Sequence, residues 1–472
     1  MKQLRWIIIL AVTAIALTVV FIFVDRSAQK KKNQSEVGKA KTLLSIDSTT
    51  VRRITLDNEE GHFAFDWDFD AATWTLTSAE QFKINTTAVS AICNYICALS
   101  SQKTVAFDAE ADKNRYGFAD PVTVKVFTTE TGLDSTPYIL YVGDSTPTYD
   151  AYYAMREGDS DIYTIDYTSG SVFCVAKDTL KDKFIFDTYG ISVSYYRQET
   201  EGMLPIELKR NDDTTWVMTQ PRDYPVMNAN ADNLAEILVR ATLEQFVEEN
   251  PGDLAKYGLD KPWSKIWIRG TSPGGLAMTQ ELWFGGRVTQ QEDDTRIYGY
   301  LPLSKQVFII YGGDAAFAKE EPTRYILPYC IDVDIADLTQ VEIDMGTVYP
   351  MHETLHLDYE NEQYALGDKD ITALNSEDIT TLFQNYYRAI SNLAFSALDL
   401  DAQPAGDPAI TITYMRQDGA QDVLGFIPTP ADSSNFYLVK NGTYTGMTVR
   451  LNRFTTGASV TPAYEALTAA LK

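Results

Sequence analysis

The sequence predicts an α+β protein in which an N-terminal transmembrane helix precedes three tandem repeats, each an antiparallel sheet with one main helix. The first observation behind this prediction is a phrase that occurs twice, RYGFADP at 115–121 and KYGLDKP at 256–262. The second is the constant spacing around the phrase, with 142 residues between Trp74 and Trp216. The third is the length of 472 residues, which suggests about three domains of ordinary size.

Each copy of the phrase is predicted to be a turn that connects a helix to the next strand. Glycine adopts positive φ at little steric cost, proline favours an extended conformation in the residue before it, and a tyrosine ring can cover the turn. The phrase carries no reactive group of its own. It therefore predicts a structural repeat motif formed by Tyr116, Gly117, Pro121, Tyr257, Gly258 and Pro262.

Hydrophobic periodicity places the elements within each repeat. Phe63, Phe65 and Trp67 alternate with polar residues, which is typical of a half-buried strand. Apolar residues at helical spacing predict main helices at 86–99, 232–246 and 378–393. The predicted repeat units are residues 44–187, 188–330 and 331–472. The third unit is more divergent, because QPAGDP at 403–408 stands in place of the phrase.

Residues 1–24 are predicted to form a membrane anchor. Positions 6–24 are uncharged and mostly apolar, and their number is close to the ~20 residues that a helix needs to cross a bilayer. No cleavage site of the signal-peptide type follows, so we expect the anchor to be retained. Residues 25–43, rich in Lys, Ser and Gln, are predicted to form a flexible polar stalk.

The charges that flank the anchor give opposing indications about its orientation. Arg26 and the lysines at 30–32 outnumber Lys2 and Arg5, which by the positive-inside rule favours a cytoplasmic domain. Long domains, however, translocate largely regardless of flanking charge, and a short cationic N-terminus is typical of signal anchors. We therefore expect the large domain to lie outside the cytoplasmic membrane.

The charge balance limits the partners of the chain. Forty Lys and Arg residues against 65 Asp and Glu residues give a formal net charge of −25, which repels the phosphate backbone of nucleic acids. The sequence also contains neither a P-loop nor a dinucleotide-binding glycine motif. We expect no nucleic acid, no nucleotide and no cofactor to bind, and we expect the membrane to be contacted through residues 6–24.

The four cysteines are predicted to be buried free thiols. Cys93, Cys97, Cys174 and Cys330 form neither a C-x-x-C pair nor a dense disulfide framework. Cys93 and Cys97 lie one turn apart on a predicted helix, where both act as small apolar side chains. A metal site there would need two further ligands, so none is expected.

Residues 352–356 spell HETLH, which matches the H-E-x-x-H signature of zinc proteases. The signature requires a helix, because residues four positions apart then share one face and two imidazoles meet one zinc. Pro350 and the alternation of leucines with polar residues predict a strand instead. On a strand His352 and His356 would be about 13 Å apart, too far to bind the same metal ion.

Residues 270–274, GTSPG, match the G-x-S-x-G nucleophile elbow. An elbow needs a strand before the serine and a helix after it. Strands are predicted on both sides, at 265–269 and 278–284. Ser272 is therefore predicted to lie in a hairpin loop, and no catalytic residue is expected.

Several motifs together resemble the domain-of-unknown-function 4340 family. They are YGFADP and YGLDKP, LYVGD at 140–144, LWFGG at 282–286, YYAM at 152–155 and the single N-terminal anchor. The resemblance covers most of the chain after the stalk. It implies a bacterial membrane-anchored protein of a kind often associated with ABC-type transport or gliding-like systems, and it brings no established catalytic residues.

The residues and the resemblance predict a membrane-anchored, extracytoplasmic and non-catalytic accessory or binding protein. From the resemblance we expect its partners to include subunits of an ABC-type transporter. Two alternatives remain open. One is an anchored zinc metallopeptidase that uses His352, Glu353 and His356. The other is a protein that binds cell-wall polymers through exposed aromatic side chains, since the chain has 28 Tyr and 7 Trp.

Overall fold

The computed structural model describes residues 40–472 except 80–81, 108–112, 130–135, 160, 187–190, 212–213 and 273. Within these residues the strands form three separate sheets. The predicted α+β class with three antiparallel sheets is confirmed. No helix in the described part of the chain is long and apolar enough to span a bilayer. The predicted anchor at 6–24 lies outside the described residues.

The first sheet has eight strands. They are β1 (Val51–Asn58), β2 (Gly61–Asp68), β3 (Thr73–Leu76), β4 (Lys103–Phe107), β5 (Val122–Thr128), β6 (Tyr138–Ser145), β7 (Ala151–Arg156) and β8 (Asp161–Asp166). Their order across the sheet is β3-β2-β1-β5-β6-β7-β8-β4. The three strands that precede the main helix and the five that follow it therefore meet where β1 pairs antiparallel with β5.

The second sheet has nine strands in the corresponding order. They are β9 (Ser192–Thr200), β10 (Ile206–Asn211), β11 (Thr215–Gln220), β12 (Tyr224–Pro225), β13 (Gln245–Glu249), β14 (Ser264–Thr271), β15 (Ala277–Arg287), β16 (Arg296–Leu301) and β17 (Gln306–Tyr311). The order is β12-β11-β10-β9-β14-β15-β16-β17-β13. Its central pair, β9 and β14, takes the place of β1 and β5.

The third sheet repeats the same order although its sequence is divergent. Its strands are β18 (Leu338–Asp344), β19 (His352–Asp358), β20 (Gln363–Leu366), β21 (Lys369–Asp370), β22 (Ala397–Leu398), β23 (Ile410–Arg416), β24 (Gln421–Pro428), β25 (Asn435–Lys440) and β26 (Thr443–Arg450). The order is β21-β20-β19-β18-β23-β24-β25-β26-β22. The third segment of the chain is therefore a third copy of the same fold.

Each sheet carries one main helix, placed in sequence between its first and second groups of strands. The helices of the described residues are α1 (Thr86–Cys97), α2 (Tyr167–Phe173), α3 (Lys177–Leu180), α4 (Asn228–Arg240), α5 (Glu377–Ser391), α6 (Asn452–Thr455) and α7 (Val460–Ala470). The main helices are α1, α4 and α5. Short 3-10 turns at Ala316–Lys319 and Pro322–Arg324 follow the last long strand of the second repeat.

The main helix of the first repeat shows how local sequence sets the fold. Asn85 caps α1, because its side-chain oxygen accepts a hydrogen bond from the backbone N–H of Ala88. Val89, Ile92 and Ile96 recur at helical spacing and are all fully buried. They pack against apolar residues of the strands and form one continuous core with the sheet. Burial of this stripe fixes the helix on one face of the sheet.

A short pairing at the start of each repeat recurs in all three. Isolated antiparallel bridges join Thr42 to Ser100, Phe184 to Thr242, and Tyr329 to Ala394. In every case a residue eight or nine positions before the first strand pairs with a residue two or three positions after the main helix. This pairing connects the beginning of each repeat to the segment that follows its main helix.

The main helix of the second repeat differs from its predicted range of 232–246. It spans Asn228–Arg240 instead. Leu243 and Phe246 continue the helical spacing, which explains the error. Ala241 is extended, however, and the strand β13 begins only four residues later. Pairing at the start of the repeat and in the sheet therefore outweighs helix periodicity in this stretch.

The chain divides into two compact units. One consists of the described residues up to Ile185 with Thr242–Phe246, and the other of the described residues of Phe186–Ala241 with Val247–Lys472. Within the second unit, hydrogen bonds connect the second and third repeats. The Arg222 guanidinium donates to the Leu400 carbonyl at 2.7 Å, and the Tyr224 hydroxyl donates to the Thr445 carbonyl at 2.7 Å. These contacts explain why the second and third repeats belong to the same unit.

Candidate functional site

The first Tyr-Gly turn packs closely against the strand β6. Gly117 has a φ of +83°, in the left-handed region that favours glycine. The Tyr116 carbonyl accepts a hydrogen bond from the backbone N–H of Asp144 at 3.0 Å. A Cβ on Gly143 would lie 2.1 Å from that carbonyl oxygen. The turn and the strand thus require glycine on both sides of the contact.

The second turn repeats this contact on the strand β15. Gly258 has a φ of +66°, and a Cβ on Gly285 would lie 2.5 Å from the Tyr257 carbonyl oxygen. The Trp263 indole N–H donates to the Gly285 carbonyl at 2.8 Å. In both repeats the strand pairing shifts register at this point, which marks a β-bulge. The turn formed by the repeated phrase therefore packs against a β-bulge in each of the first two sheets.

The tyrosines of the phrase belong to small aromatic clusters. The Tyr116 ring lies 4.6 Å from the Tyr153 ring, and the Tyr257 ring lies 4.9 Å from the Tyr298 ring. These clusters are separate from the core under α1. Pro121 directly precedes β5, and Pro262 stands two residues before β14. The six motif residues thus belong to two turns, which precede the central strands β5 and β14.

The second turn also carries a charged contact. The Glu248 carboxylate accepts hydrogen bonds from the Lys256 ammonium and the Tyr257 hydroxyl, both at 2.5 Å. The hydrogen bond from Lys256 is the main reason that the pKa of Glu248 lies below its usual value. In the first turn the guanidinium carbon of Arg115 lies 5.5 Å from the centroid of the Tyr116 ring. In the second turn the Lys256 ammonium lies 4.7 Å from the centroid of the Tyr257 ring, so both turns place a cation near the face of the tyrosine.

The HETLH residues lie on the strand β19, as the alternation of the sequence predicted. His352 and His356 are exposed, whereas Leu355 between them is buried. Glu353 lies on the same face as Leu355, and its carboxylate accepts a hydrogen bond of 2.6 Å from the Tyr464 hydroxyl of α7. Successive residues of a strand point to opposite faces. The glutamate therefore points away from the side that carries the two histidines.

Loss of the hydrogen bond to Glu353 is expected to lower the stability of the protein more than loss of a histidine side chain. Tyr464→Phe should lower the free energy of unfolding by about 1 kcal/mol, because the carboxylate loses its donor. His356→Ala should change it by less than ~0.5 kcal/mol, because this side chain is exposed. Urea denaturation of the full chain measures both. One zinc ion per purified chain, lost in His356→Ala, would contradict this structural interpretation.

Ser272 of the G-x-S-x-G match lies between the strands β14 and β15. The Ser272 hydroxyl accepts a hydrogen bond from the Leu276 backbone N–H at 3.2 Å, within the same loop. The chain continues from this loop into a strand rather than a helix. The match is therefore part of a hairpin, and the geometry of a nucleophile elbow is not formed.

The cysteines are free thiols in the structure, and only Cys174 is partly exposed. The sulfur atoms of Cys93 and Cys97 lie 4.0 Å apart on α1. Burial raises the pKa of Cys174 to about 11, which keeps the thiol protonated at neutral pH. Among the residues that the structure describes, no group of three or more His, Cys, Asp or Glu side chains is placed to hold a metal ion.

A large cavity lies in the third repeat. It is a groove of about 870 Å³ lined by residues of α5, of α6 and of the first turns of α7. Arg388 and Arg453 line it, together with Asn385, Asn392 and Ser459. Sequence reasoning did not find this groove, because its residues come from segments about 70 positions apart and form no recognisable motif.

Comparison with known protein families identifies the family to which the chain belongs. The model of a domain of unknown function, DUF4340, matches residues 74–215 and 216–409, which together are more than half of the chain. The chain belongs to the DUF4340 family. The two matches begin at Trp74 and Trp216, the residues whose spacing defined the repeat. No curated protein and no solved structure matches this chain.

The family model also extends into the third repeat, since its second match continues to residue 409. A feature that sequence reasoning missed is common to all three repeats of this DUF4340 protein. A buried phenylalanine follows the strand that comes last along the chain in each repeat. These residues are Phe173 after β8, Phe317 after β17 and Phe454 after β26. The signal was a lone phenylalanine in a short polar or alanine-rich segment. The three positions correspond in the fold rather than in the sequence, because each follows the last strand of its repeat.

Proposed function

We propose that this DUF4340 protein is a membrane-anchored accessory or binding protein whose repeats lie outside the cytoplasmic membrane. The observation that carries the proposal is the order of its segments. An uncharged run at 6–24 is followed by a polar stalk and then by three copies of one sheet-and-helix fold. Tandem copies of a fold suit a protein that presents binding surfaces, and the anchor would keep those surfaces at the membrane.

We further propose that the partner is an ABC-type transport system. The support is the family membership, because the resemblance implied an association of such proteins with ABC-type transport. The chain has a formal net charge of −25, and a partner protein with basic loops would complement that charge. In this proposal the transporter subunits use nucleotide, and the repeats contribute binding rather than catalysis.

Protease treatment of spheroplasts tests the orientation. We expect added protease to remove the repeats from intact spheroplasts, because they would lie outside the membrane, while a cytoplasmic marker protein stays intact. A C-terminal epitope tag followed by immunoblotting reports the loss. Survival of the tag until the spheroplasts are lysed would show that Arg26 and the lysines at 30–32 retain the domain in the cytoplasm.

Purification from native membranes tests the partner. The tagged full chain, solubilised in mild detergent, is expected to retain permease and ATPase subunits in near-stoichiometric amounts by quantitative mass spectrometry. A chain truncated after the stalk, at residue 43, is the matched control and should retain none. Retention of enzymes of wall synthesis in place of transporter subunits would contradict the proposal and favour binding to wall polymers.

A further inference from the structure

The groove of the third repeat differs in charge from the rest of the protein. The chain has a net charge of −25, yet no Asp or Glu lines this groove. Two other cavities include Asp57 and Asp232 in their walls. Arg388 donates to the Asn385 side chain at 3.4 Å, and within the described residues no carboxylate lies within 4.0 Å of Arg388 or Arg453. Two guanidinium groups are thus available to a ligand.

The helix α7 begins at the same groove. It has 11 residues, from Val460 to Ala470, so the partial positive charge of its N-terminus is fully developed. Ser459 stands at the N-cap position, but its side chain makes no capping hydrogen bond. Ser459 is only 7 % exposed, it lines the groove, and its Oγ has no hydrogen-bond partner. A buried hydroxyl without a partner is costly unless a ligand satisfies it.

The carbonyl end of α5 also lies at the groove and weighs against an anion, but the two arginines outweigh it. The helix α5 ends at Ser391, and Asn392, just beyond it, lines the groove. The carbonyl end of a helix carries partial negative charge, about half an elementary charge. Two full positive charges on Arg388 and Arg453 outweigh it. Amide side chains of Asn385 and Asn392 supply further donors.

We propose that this groove binds an oxyanion, a phosphate or carboxylate group carried by a small water-soluble molecule. The guanidinium groups of Arg388 and Arg453 pair with its oxygens, and the N-terminus of α7 with the Ser459 hydroxyl completes the site. The inference specifies a ligand for the binding role proposed above. It depends neither on the anchor nor on a transporter, so its failure would leave those proposals untouched.

Titration calorimetry of the full chain in phosphatidylcholine nanodiscs tests the proposal. The probes are inorganic phosphate and acetate, each at an ionic strength held constant with sodium chloride. We expect saturable binding of at least one probe by the unmodified chain. The double variant R388Q/R453Q should weaken it roughly tenfold or more, because it removes both charge-assisted contacts. Ser459→Ala should weaken it about threefold without lowering the melting temperature, since Ser459 makes no capping bond and its hydroxyl has no partner in the folded chain.

Arg240→Gln is the matched control, because Arg240 is an exposed arginine in the last turn of the main helix α4. It should bind the probe as the unmodified chain does. Absence of saturable binding of both probes, or equal binding by R388Q/R453Q, would overturn the proposal. In nanodiscs that contain phosphatidylglycerol the probe affinity should be unchanged. A large loss there would assign the site to a lipid headgroup and contradict the small-molecule ligand.

Discussion

Gly143→Ala is expected to lower the free energy of unfolding by about 3 kcal/mol, the upper part of the range for overpacking. The added Cβ would lie 2.1 Å from the Tyr116 carbonyl oxygen, which is backbone and has little freedom to move. Gly285→Ala should act in the same direction in the second repeat, where the distance to the Tyr257 oxygen is 2.5 Å. Urea denaturation followed by tryptophan fluorescence measures both effects.

Gly252→Ala is the control for these glycine substitutions. A Cβ on Gly252 would meet no atom within 4 Å, so the change should alter stability by less than ~0.5 kcal/mol. If Gly143→Ala were as mild as Gly252→Ala, the close contact between the Tyr-Gly turn and the bulge would not exist in solution. The repeated phrase would then need another explanation.

Replacing the buried phenylalanine of each repeat is expected to have the largest effect. Phe173→Ala, Phe317→Ala and Phe454→Ala should each lower the free energy of unfolding by about 4 kcal/mol, because each leaves a cavity in a core. The exposed fractions of these side chains are 0 %, 2 % and 0 %. The Phe454 ring also packs edge-on against Phe426 at 5.0 Å.

Thermal unfolding monitored by near-ultraviolet circular dichroism measures the three variants side by side. Phe69→Ala is the matched control, because Phe69 is 49 % exposed and its loss should be nearly neutral. A mild effect at Phe454 beside strong effects at Phe173 and Phe317 would show that the third repeat lacks an equivalent core.

The architecture could be predicted from the sequence because two of the three repeats contain the same recognisable motif. The spacing between Trp74 and Trp216 gave the period, and alternating residues gave the strands. The same alternation placed HETLH on β19 although the five letters match a helical metal signature. Periodicity over a whole segment therefore carried more information than a short motif.

The sequence was insufficient where long-range pairing decides the structure. The helix α4 ends at Arg240 because the next residues pair with the start of the repeat and with the sheet. No local pattern marks that stop, since Leu243 and Phe246 keep the helical spacing. The groove of the third repeat could not be predicted from the sequence for a similar reason. Arg388 on α5 and Arg453 on α6 line the same groove only after α7 packs against both helices.

Hydrogen exchange of the full chain, followed by mass spectrometry, tests the three-repeat architecture most directly. The slowest amides should fall into three separate sets, in the strand pairs β1 with β5, β9 with β14, and β18 with β23, because these pairs lie in the interior of their sheets. Slow exchange in the first two pairs, with β18 and β23 exchanging as fast as the connecting loops, would contradict a third copy of the fold.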